Sequence, residues 1–312
     1  MCRGPTDAEK LRKLPWLYAH VGTNSLYAML TLFGPVFLLF LDELQLDTAQ
    51  IGSLLSLFPF CGIVAVFIGP TVTKLGIKRT YLVFWGARKL VTALLLLTPL
   101  VIASYGQEAT LYFVGGVVLT FALCRAVGET ALFPWQHECI PNAVRGRVIG
   151  WSCMIVTAAE LLAMLIASRI LKLPGGLERF MWLFAIGLVV GLISVGLGVM
   201  IPGGRPVRGN GVEMRGLRAT GGAIRDPQLR IYLIGQAIVT IGTGMLIIFL
   251  PLFWKGHVGL TLEQVVLLQV VASVSFLLGS MPWGWATDRF GSKPVMLVTL
   301  TVISLVFRLH SG

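Results

Sequence analysis

The sequence predicts an all-α integral membrane protein, and three observations support that prediction. Of its 312 residues, 56% are hydrophobic and only 12% are charged, whereas soluble domains carry about a quarter charged residues. The mean hydropathy is +0.84. The apolar residues also fall into long runs, most of them about 20 residues or longer, which is the length a helix needs to cross a hydrocarbon core of about 30 Å.

Nine of these apolar runs are predicted to be transmembrane helices. They cover roughly residues 16–41, 51–73, 80–103, 111–135, 148–171, 181–201, 231–254, 264–286 and 294–309. The first run is too long for the core of a signal peptide and no small-residue cleavage site follows it. We therefore expect it to be a retained span.

The basic residues indicate which connections face the cytoplasm. Assigning the connections alternately to two sides places seventeen Lys and Arg residues on one side and five on the other. By the positive-inside rule the first side, which includes the N-terminus, is cytoplasmic. The net charge of +11 then reflects topology, and no nucleic-acid partner is expected. The predicted location is the plasma membrane, or the inner membrane in a bacterium.

The sequence divides at one long connection. Residues 202–230 are rich in Gly and Arg, which is typical of a flexible linker. This linker separates a six-helix half, residues 1–201, from a partial half of three helices, residues 231–312. Nine spans place the C-terminus outside, so we expect either a fragment or truncated reading frame, or a chain that partners complete. The fragment is the favoured interpretation.

A short polar segment recurs after the second span of each half. The first segment, residues 69–79, has the sequence GPTVTKLGIKR, and the second, residues 284–293, has the sequence GWATDRFGSK. The aligned pairs are Gly69 with Gly284, Lys74 with Arg289, Gly76 with Gly291, and Lys78 with Lys293. Two matching segments indicate an internal repeat, and the glycines would allow tight turns.

These segments resemble the pattern G-x-L-(A/S)-D-(R/K)-x-G-(R/K)-(R/K) of the major facilitator superfamily of transporters. That family carries the pattern between helices 2 and 3, with a weaker copy between helices 8 and 9. The second segment matches at Gly284, Asp288, Arg289, Gly291 and Lys293, and the first at Gly69, Lys74, Gly76 and Lys78. The resemblance implies a major-facilitator-type helical bundle with gating loops on the cytoplasmic side. The family acid is thought to form a charge–dipole latch there, but the first segment has Thr73 at that position.

A second resemblance lies in the connection between spans 4 and 5. Residues 141–147 resemble the P-x-x-x-R-G-R pattern of the same family. Arg145 and Arg147 can reach lipid phosphates or an acid on a neighbouring helix, and Gly146 permits a sharp entry into span 5. His137 and Cys139 lie nearby, but two ligands without a third or fourth predict no metal site. No cofactor is expected.

Five charged residues lie inside predicted spans and away from the span ends: Arg88, Lys89, Arg125, Glu129 and Glu160. A charge in the bilayer centre costs at least ~2.5–3.5 kcal/mol on insertion scales, so such groups are candidates for function. Arg125 and Glu129 are four residues apart and share a helical face. From the rise of ~1.5 Å per residue, Arg125 and Glu160 are at similar depth and could pair. Arg88 and Glu129 could form a second pair.

Two interpretations of these charges stay open. They are either static ion pairs that join spans 3, 4 and 5, or a carboxylate among them takes up a proton when its arginine turns away. Residues 123–129 resemble the family's fourth-helix motif, which implies a part in proton transfer for Arg125. Asn24, Gln236 and Gln269 are uncharged candidates, and the family lines its path with helices 1, 4, 7 and 10, which favours Asn24 and Gln236.

The sequence therefore predicts a secondary active transporter that moves a small solute by alternating access, with proton coupling as an option. The family's antiporter signature, G-x-x-x-G-P, is missing from residues 148–171, which favours uptake, including symport, or facilitated exchange over drug–proton antiport. The alternative is a truncated, non-transporting scaffold or a subunit that a partner completes. An enzyme is not expected, because the histidines (His20, His137, His257 and His310) are predicted outside the membrane centre. The expected partners are membrane lipid, a small solute and protons.

Overall fold

The computed structural model describes residues 6–204, 226–239, 242 and 262–310, and every regular element in these residues is a helix. The chain divides into two compact units. One comprises Met1–Val207 together with Gly279–Gly312, and the other comprises Arg208–Leu278. The residues discussed below as a candidate site lie in the first unit, except for Gln236 and Gln269.

The helices follow the predicted spans in order. They are α1 (Asp7–Leu30), α2 (Pro35–Glu43), α3 (Thr48–Cys61), α4 (Val64–Leu75), α5 (Ile77–Ala93), α6 (Thr98–Cys139), α7 (Arg145–Ile170), α8 (Glu178–Val199), α9 (227–239), α10 (Leu262–Phe290) and α11 (Ser292–His310). Short 3₁₀ helices at Leu94–Leu97 and Asn142–Val144 precede α6 and α7.

Two predicted spans are broken helices, which corrects the expectation of continuous ones. The first span begins earlier than predicted, at Asp7, ends at Leu30 and resumes at Pro35, which has no backbone N–H to continue the preceding ladder. The turn before it is tight, because a Cβ on Gly34 would overlap the carbonyl of Met29. The second span is interrupted between Cys61 and Val64.

The third and fourth spans are joined through a single glycine instead of the predicted loop of several residues. Helical structure runs from Ile77 to Cys139, and within α6 the only residue with non-helical dihedrals is Gly106, at φ 80° and ψ −175°. A positive φ of this size favours glycine because a Cβ would clash. α5 packs along α6.

The two repeated segments are also helix ends rather than loops, which corrects a second expectation. α4 continues to Leu75 and α10 continues to Phe290. The chain breaks only at Gly76, with φ 94°, and at Gly291, with φ 85°. The repeat aligns these two glycines with each other, so both copies have the same glycine break.

Four helical stretches in the described part of the chain are long and apolar enough to cross a membrane, judged by length and composition. They are Asp7–Glu43, Ile77–Cys139, Asn142–Ile170 and Glu178–Val199. Gly106 divides the second of these stretches. The predicted division into six and three spans stays a prediction, since residues 240–241 and 243–261 of the second half lie outside the described residues.

Two apolar clusters form the core of α1–α8, and polar side chains lie between them. One cluster contains Tyr27 and Leu30 of α1 with Phe121 and Phe184. The other contains Leu17 at the opposite end of α1, together with Tyr81, Trp85, Trp135 and Ile201. Asn24 therefore lies between the two clusters along α1, and Arg88 and Lys89 occupy the same interval along α5.

Three glycines of α8 allow this helix to pack closely against its neighbours. A Cβ would come within 2.7 Å of Thr31 from Gly187, within 2.7 Å of Tyr27 from Gly191, and within 2.9 Å of Leu82 from Gly198. Gly196 has no neighbour within 4 Å of that position, so it does not contribute to this packing. Small residues at these positions bring helices together in membrane proteins.

Candidate functional site

The side-chain oxygen of Asn24 is the meeting point of three donors from α5. Trp85 Nε1 donates to Asn24 Oδ1 at 3.0 Å, an Arg88 guanidinium nitrogen donates at 2.8 Å, and Lys89 Nζ donates at 2.9 Å. Both cations are almost completely buried, with Arg88 2% and Lys89 0% exposed. Three residues that the sequence analysis named as separate candidates, Asn24, Arg88 and Lys89, are thus brought together between α1 and α5.

Aromatic rings surround the two cations. The Arg88 guanidinium carbon lies 3.3 Å from the centroid of the Trp85 ring, and Lys89 Nζ lies 3.3 Å from the centroid of the Tyr27 ring. Phe121 lies 5.5 Å from the Arg88 guanidinium. The negative faces of aromatic rings attract cations. These rings therefore stabilise the positive charges without adding hydrogen-bond acceptors.

The expected pair of Arg88 and Glu129 is not formed. In the described part of the chain, no carboxylate forms an ion pair with Arg88 or Lys89. Arg88 instead turns towards α1, because Asn24 offers an acceptor there and Trp85 offers a stacking surface on its own helix. The pairing predicted from depth alone was wrong because it ignored the direction in which each side chain leaves its helix.

Glu129 instead pairs with Arg125 on the same helix. Arg125 Nε and Glu129 Oε1 are 2.7 Å apart, and their side chains are 29% and 37% exposed. This confirms that the two residues share one face of the fourth span. They line a cavity of about 300 Å³ together with Phe58, Pro59, Gly62, Ala122 and Ala126.

Glu160 lies half-buried on α7, and the structure does not bring it to Arg125 as expected. No ion pair or hydrogen bond involves its side chain among the described residues. The i,i+4 spacing gives Arg125 a carboxylate within its own helix. Arg125 therefore needs no partner from α7.

His20 is a polar residue that sequence reasoning set aside and that the structure places beside this centre. It is 3% exposed, and its ring nitrogens lie 2.7 Å from the Ser194 carbonyl and 2.7 Å from the Tyr81 hydroxyl. Together with Asn24 it lines a cavity of about 180 Å³. The spacing of His20, Asn24 and Tyr27 along one helical face was the signal that could have identified it.

Asp288, the acid of the second repeated segment, binds the amino end of α7. Its carboxylate oxygens accept hydrogen bonds from the backbone N–H of Gly146 at 2.5 Å and of Arg147 at 2.7 Å. The Arg147 guanidinium lies 3.6 Å away, and the Asp288 side chain is only 9% exposed. A carboxylate at this position satisfies N–H groups that have no partner within the helix and interacts favourably with the helix dipole.

Glycines allow α7 and α10 to approach closely enough for this contact. A Cβ on Gly146 would overlap the carbonyl of Gly284, and a Cβ on Gly284 would overlap that of Gly146. One turn further along α7, a Cβ on Gly150 would lie 2.6 Å from the Ser280 carbonyl. Glycines four residues apart on one helix are typical of such crossings. In this chain, Gly284 of the repeated segment therefore allows a close helix contact and does not form a turn.

Lys78 of the first repeated segment holds the carboxyl end of α8. Its Nζ donates to the carbonyls of Val199 at 2.7 Å and Ile201 at 2.6 Å. Trp135 Nε1 also donates to the carbonyl of Pro202 at 3.0 Å. A cation at this end of a helix satisfies carbonyls without intrahelical partners.

The remaining predicted residues occupy less informative positions. Gly69 lies within α4, Arg289 is exposed at the end of α10 beside Trp285, and Lys293 is exposed at the start of α11. Gln236 lies on α9 in the second unit. The side chains of Lys74 and Gln269 lie outside the described residues. The centre formed by α1 and α5 lies in the first unit, whereas Gln236 and Gln269 belong to the second unit.

Comparison with known proteins identifies the family. The family model for the Major Facilitator Superfamily matches residues 19–307. The chain belongs to the major facilitator superfamily. Members of this superfamily are multi-pass membrane transporters, so the chain is a transporter of this family rather than an enzyme.

A solved member of the superfamily has a similar fold. It is the MFS proton:xylose symporter XylE, whose structure contains 6-bromo-6-deoxy-D-glucose. The TM-score is 0.57 at 12% sequence identity, and the match covers 93% of this chain and 71% of that chain. At this identity the likeness concerns the fold alone. No curated protein matches the sequence significantly.

Proposed function

We propose that this member of the superfamily is a secondary active transporter that carries a small solute by alternating access. The contact of Asp288 with the amino end of α7 supports this proposal most directly. It joins the second repeated segment to a helix of the first half through two hydrogen bonds and one ion pair. Alternating access requires contacts between halves that form in one state and break in the other, and a capped helix end is suited to that because water can replace the carboxylate.

The proposed topology places this contact at the cytoplasmic face of the plasma membrane, with the N-terminus inside. Seventeen of the 25 Lys and Arg residues are assigned to that side, which the positive-inside rule makes cytoplasmic. In the proposed organisation, residues 1–201 form the first half, residues 202–230 a cytoplasmic linker, and residues 231–312 part of the second half. The solute path would include Asn24, Arg88, Lys89, Arg125, Glu129, Glu160 and Gln236.

Proton coupling is part of the proposal and rests on Arg125 and Glu129. Their ion pair lines a cavity, and both side chains are partly exposed there, so a proton can reach the carboxylate. In this proposal, proton transfer accompanies a helix movement that separates the pair, because a carboxylate without a cationic partner in an apolar site is protonated more readily.

The test is solute uptake into vesicles that contain only the purified full chain. The vesicles are incubated with a defined mixture of sugars, amino acids and organic acids, with and without an inward pH gradient, and their contents are measured by mass spectrometry. We expect at least one solute to enter faster than into protein-free vesicles and to accumulate when the gradient is present. Equal entry into both kinds of vesicle would contradict transport and favour a scaffold.

A further inference from the structure

The three donors that meet at Asn24 exceed what one neutral oxygen accommodates well. An amide oxygen has two lone pairs, yet Asn24 Oδ1 lies within 3.0 Å of donors from Trp85, Arg88 and Lys89. Two of these donors are cations, whose strongest hydrogen bonds are made with anionic oxygens. The donor set is therefore better matched to a carboxylate or phosphate oxygen than to an amide.

The same place carries uncompensated positive charge. Arg88 and Lys89 are buried, and in the described part of the chain neither forms an ion pair with a carboxylate. Glu129, whose charge is near enough to act on Arg88, is already engaged by Arg125. In addition, Arg88 Nε is buried without a hydrogen-bond partner among these residues. Buried cations without an acid are costly, so a bound anion would be strongly favoured here.

The cluster also borders a cavity. Asn24 and Trp85 line the cavity of about 180 Å³ that His20 and Tyr81 also border. The cations lie behind Asn24, which separates them from this cavity by accepting their hydrogen bonds. Rotation of the Asn24 side chain would present Arg88, Lys89 and the Trp85 N–H to a molecule in the cavity.

We infer that the transported solute carries an oxyanion, either a carboxylate or a phosphate monoester, and that Arg88, Lys89 and Trp85 bind it. Asn24 Oδ1 occupies the position of one oxygen of that anion. This inference rests on the proposed transport function and specifies its substrate class. Arg88 supplies a planar fork and Lys89 a point charge, a combination that suits both kinds of oxyanion.

The first experiment compares four probes by thermal unfolding of the purified full chain. Succinate supplies carboxylates, glycerol 3-phosphate supplies a phosphate monoester, glucose is neutral and choline is cationic. Because ligands that bind only the folded state stabilise it, we expect one or both anions to raise the unfolding midpoint in a saturable way. We expect no rise with glucose or choline. The more effective anion identifies the headgroup, and absence of a saturable rise with both anions contradicts the inference.

Two substitutions test the residues. Asn24→Asp places a permanent anionic oxygen between the cations, so the midpoint without ligand should rise and the response to the anions should disappear. Lys89→Met should weaken anion binding at least about tenfold, because it removes a charge-assisted hydrogen bond. It should not lower the midpoint without ligand, since no carboxylate loses its partner. Lys172→Met, at an exposed lysine after α7, is the matched control and should leave binding unchanged.

The outcomes separate this inference from the transport function. A lower midpoint for Asn24→Asp, or an undiminished anion response in either variant, contradicts the anion site. Entry of a neutral solute into protein-containing vesicles, with no binding of the two anions, retains transport and contradicts the inference. Saturable anion binding without entry of any solute retains the site and contradicts transport.

Discussion

The carboxylate of Asp288 caps the helix that begins at Arg145, accepting the backbone N–H of Gly146 at 2.5 Å. The two residues are 142 positions apart in the sequence. The contact depends on charge, on an unpaired helix end and on the absence of a side chain at Gly146. The charge and the close approach of the two helices can be tested separately.

Replacing Asp288 by Asn tests the charge. Asp288→Asn retains an oxygen acceptor but loses the charge that favours the helix end and Arg147, so we expect a loss of about 1–2 kcal/mol in unfolding free energy and reduced solute flux. Thermal unfolding and vesicle uptake measure the two effects. Asp7→Asn changes a carboxylate that is 77% exposed and should have little effect on either. Thr73→Ala should also be milder, and equal effects of Asp288→Asn and Thr73→Ala would contradict the latch.

Replacing Gly150 by Ala tests the close approach of the two helices. The new methyl group would meet the Ser280 backbone carbonyl, which cannot move without shifting α10, so we expect a destabilisation of about 1–3 kcal/mol. Gly196→Ala is the matched control, because nothing lies within 4 Å of the added methyl group. There the greater helix propensity of alanine should leave stability unchanged or slightly higher. Equal midpoints for the two variants would show that α7 and α10 do not cross here.

Replacing Lys78 by Met tests the anchor at the end of α8. Lys78→Met keeps most of the stem but leaves the carbonyls of Val199 and Ile201 without this cation, which we expect to cost about 2 kcal/mol. Thermal unfolding measures the loss. Arg79→Gln, at the exposed neighbouring position, should change the midpoint little. A midpoint for Lys78→Met no lower than that of Arg79→Gln would contradict an anchoring role.

The glutamates on α6 and α7 are tested by separating two transport modes. Glu129→Gln or Glu160→Gln should abolish proton-driven accumulation while retaining exchange of solute down its gradient, because glutamine cannot take up the proton. A static pair of Arg125 and Glu129 predicts loss of both modes together with lower protein yield. Accumulation that persists in both variants would exclude both residues as proton carriers.

Glu43→Gln is the control for this comparison. Glu43 pairs with Arg179 at 2.8 Å and its side chain is 33% exposed, whereas the Arg125–Glu129 distance is 2.7 Å and the Glu129 side chain is 37% exposed. The control therefore removes a comparable ion pair away from the proposed path. Both transport modes should survive it.

The proposed topology is tested by labelling single cysteines. In a background without native cysteines, Asp47→Cys and Gly211→Cys should react from opposite sides of the membrane, because an odd number of spans separates them and basic residues are concentrated around Gly211. An impermeant thiol reagent applied to intact cells measures this. Labelling of both positions from outside would overturn the orientation.

Several features of the fold were predictable because they depend on local chemistry. Gly76 and Gly291 were aligned by sequence, and both break a helix with positive φ, since that conformation favours a residue without a Cβ. The i,i+4 pair of Arg125 and Glu129 was predictable because one helix determines its geometry. The structure of the repeated segments was not predictable in the same way. They were expected to be loops, but their polar residues continue the helices as far as Leu75 and Phe290.

The candidate site was only partly predictable. Arg88, Lys89 and Asn24 were identified because polar groups inside apolar runs are unusual, but their mutual contact was not expected. His20 was overlooked because its contacts are with residues of other helices, which the sequence alone does not reveal. Its partners are Tyr81 of α5 and Ser194 of α8, so its surroundings depend on which faces of three helices meet.

The sequence by itself determined that the chain is a helical membrane protein with a repeated glycine break. Run length, hydropathy and glycine position act within one helix or one turn. Only the tertiary structure decided that Arg88 binds Asn24 instead of Glu129 and that Asp288 caps α7. Those choices depend on how each helix is rotated about its axis and how closely it approaches its neighbours, and packing across the whole unit sets both.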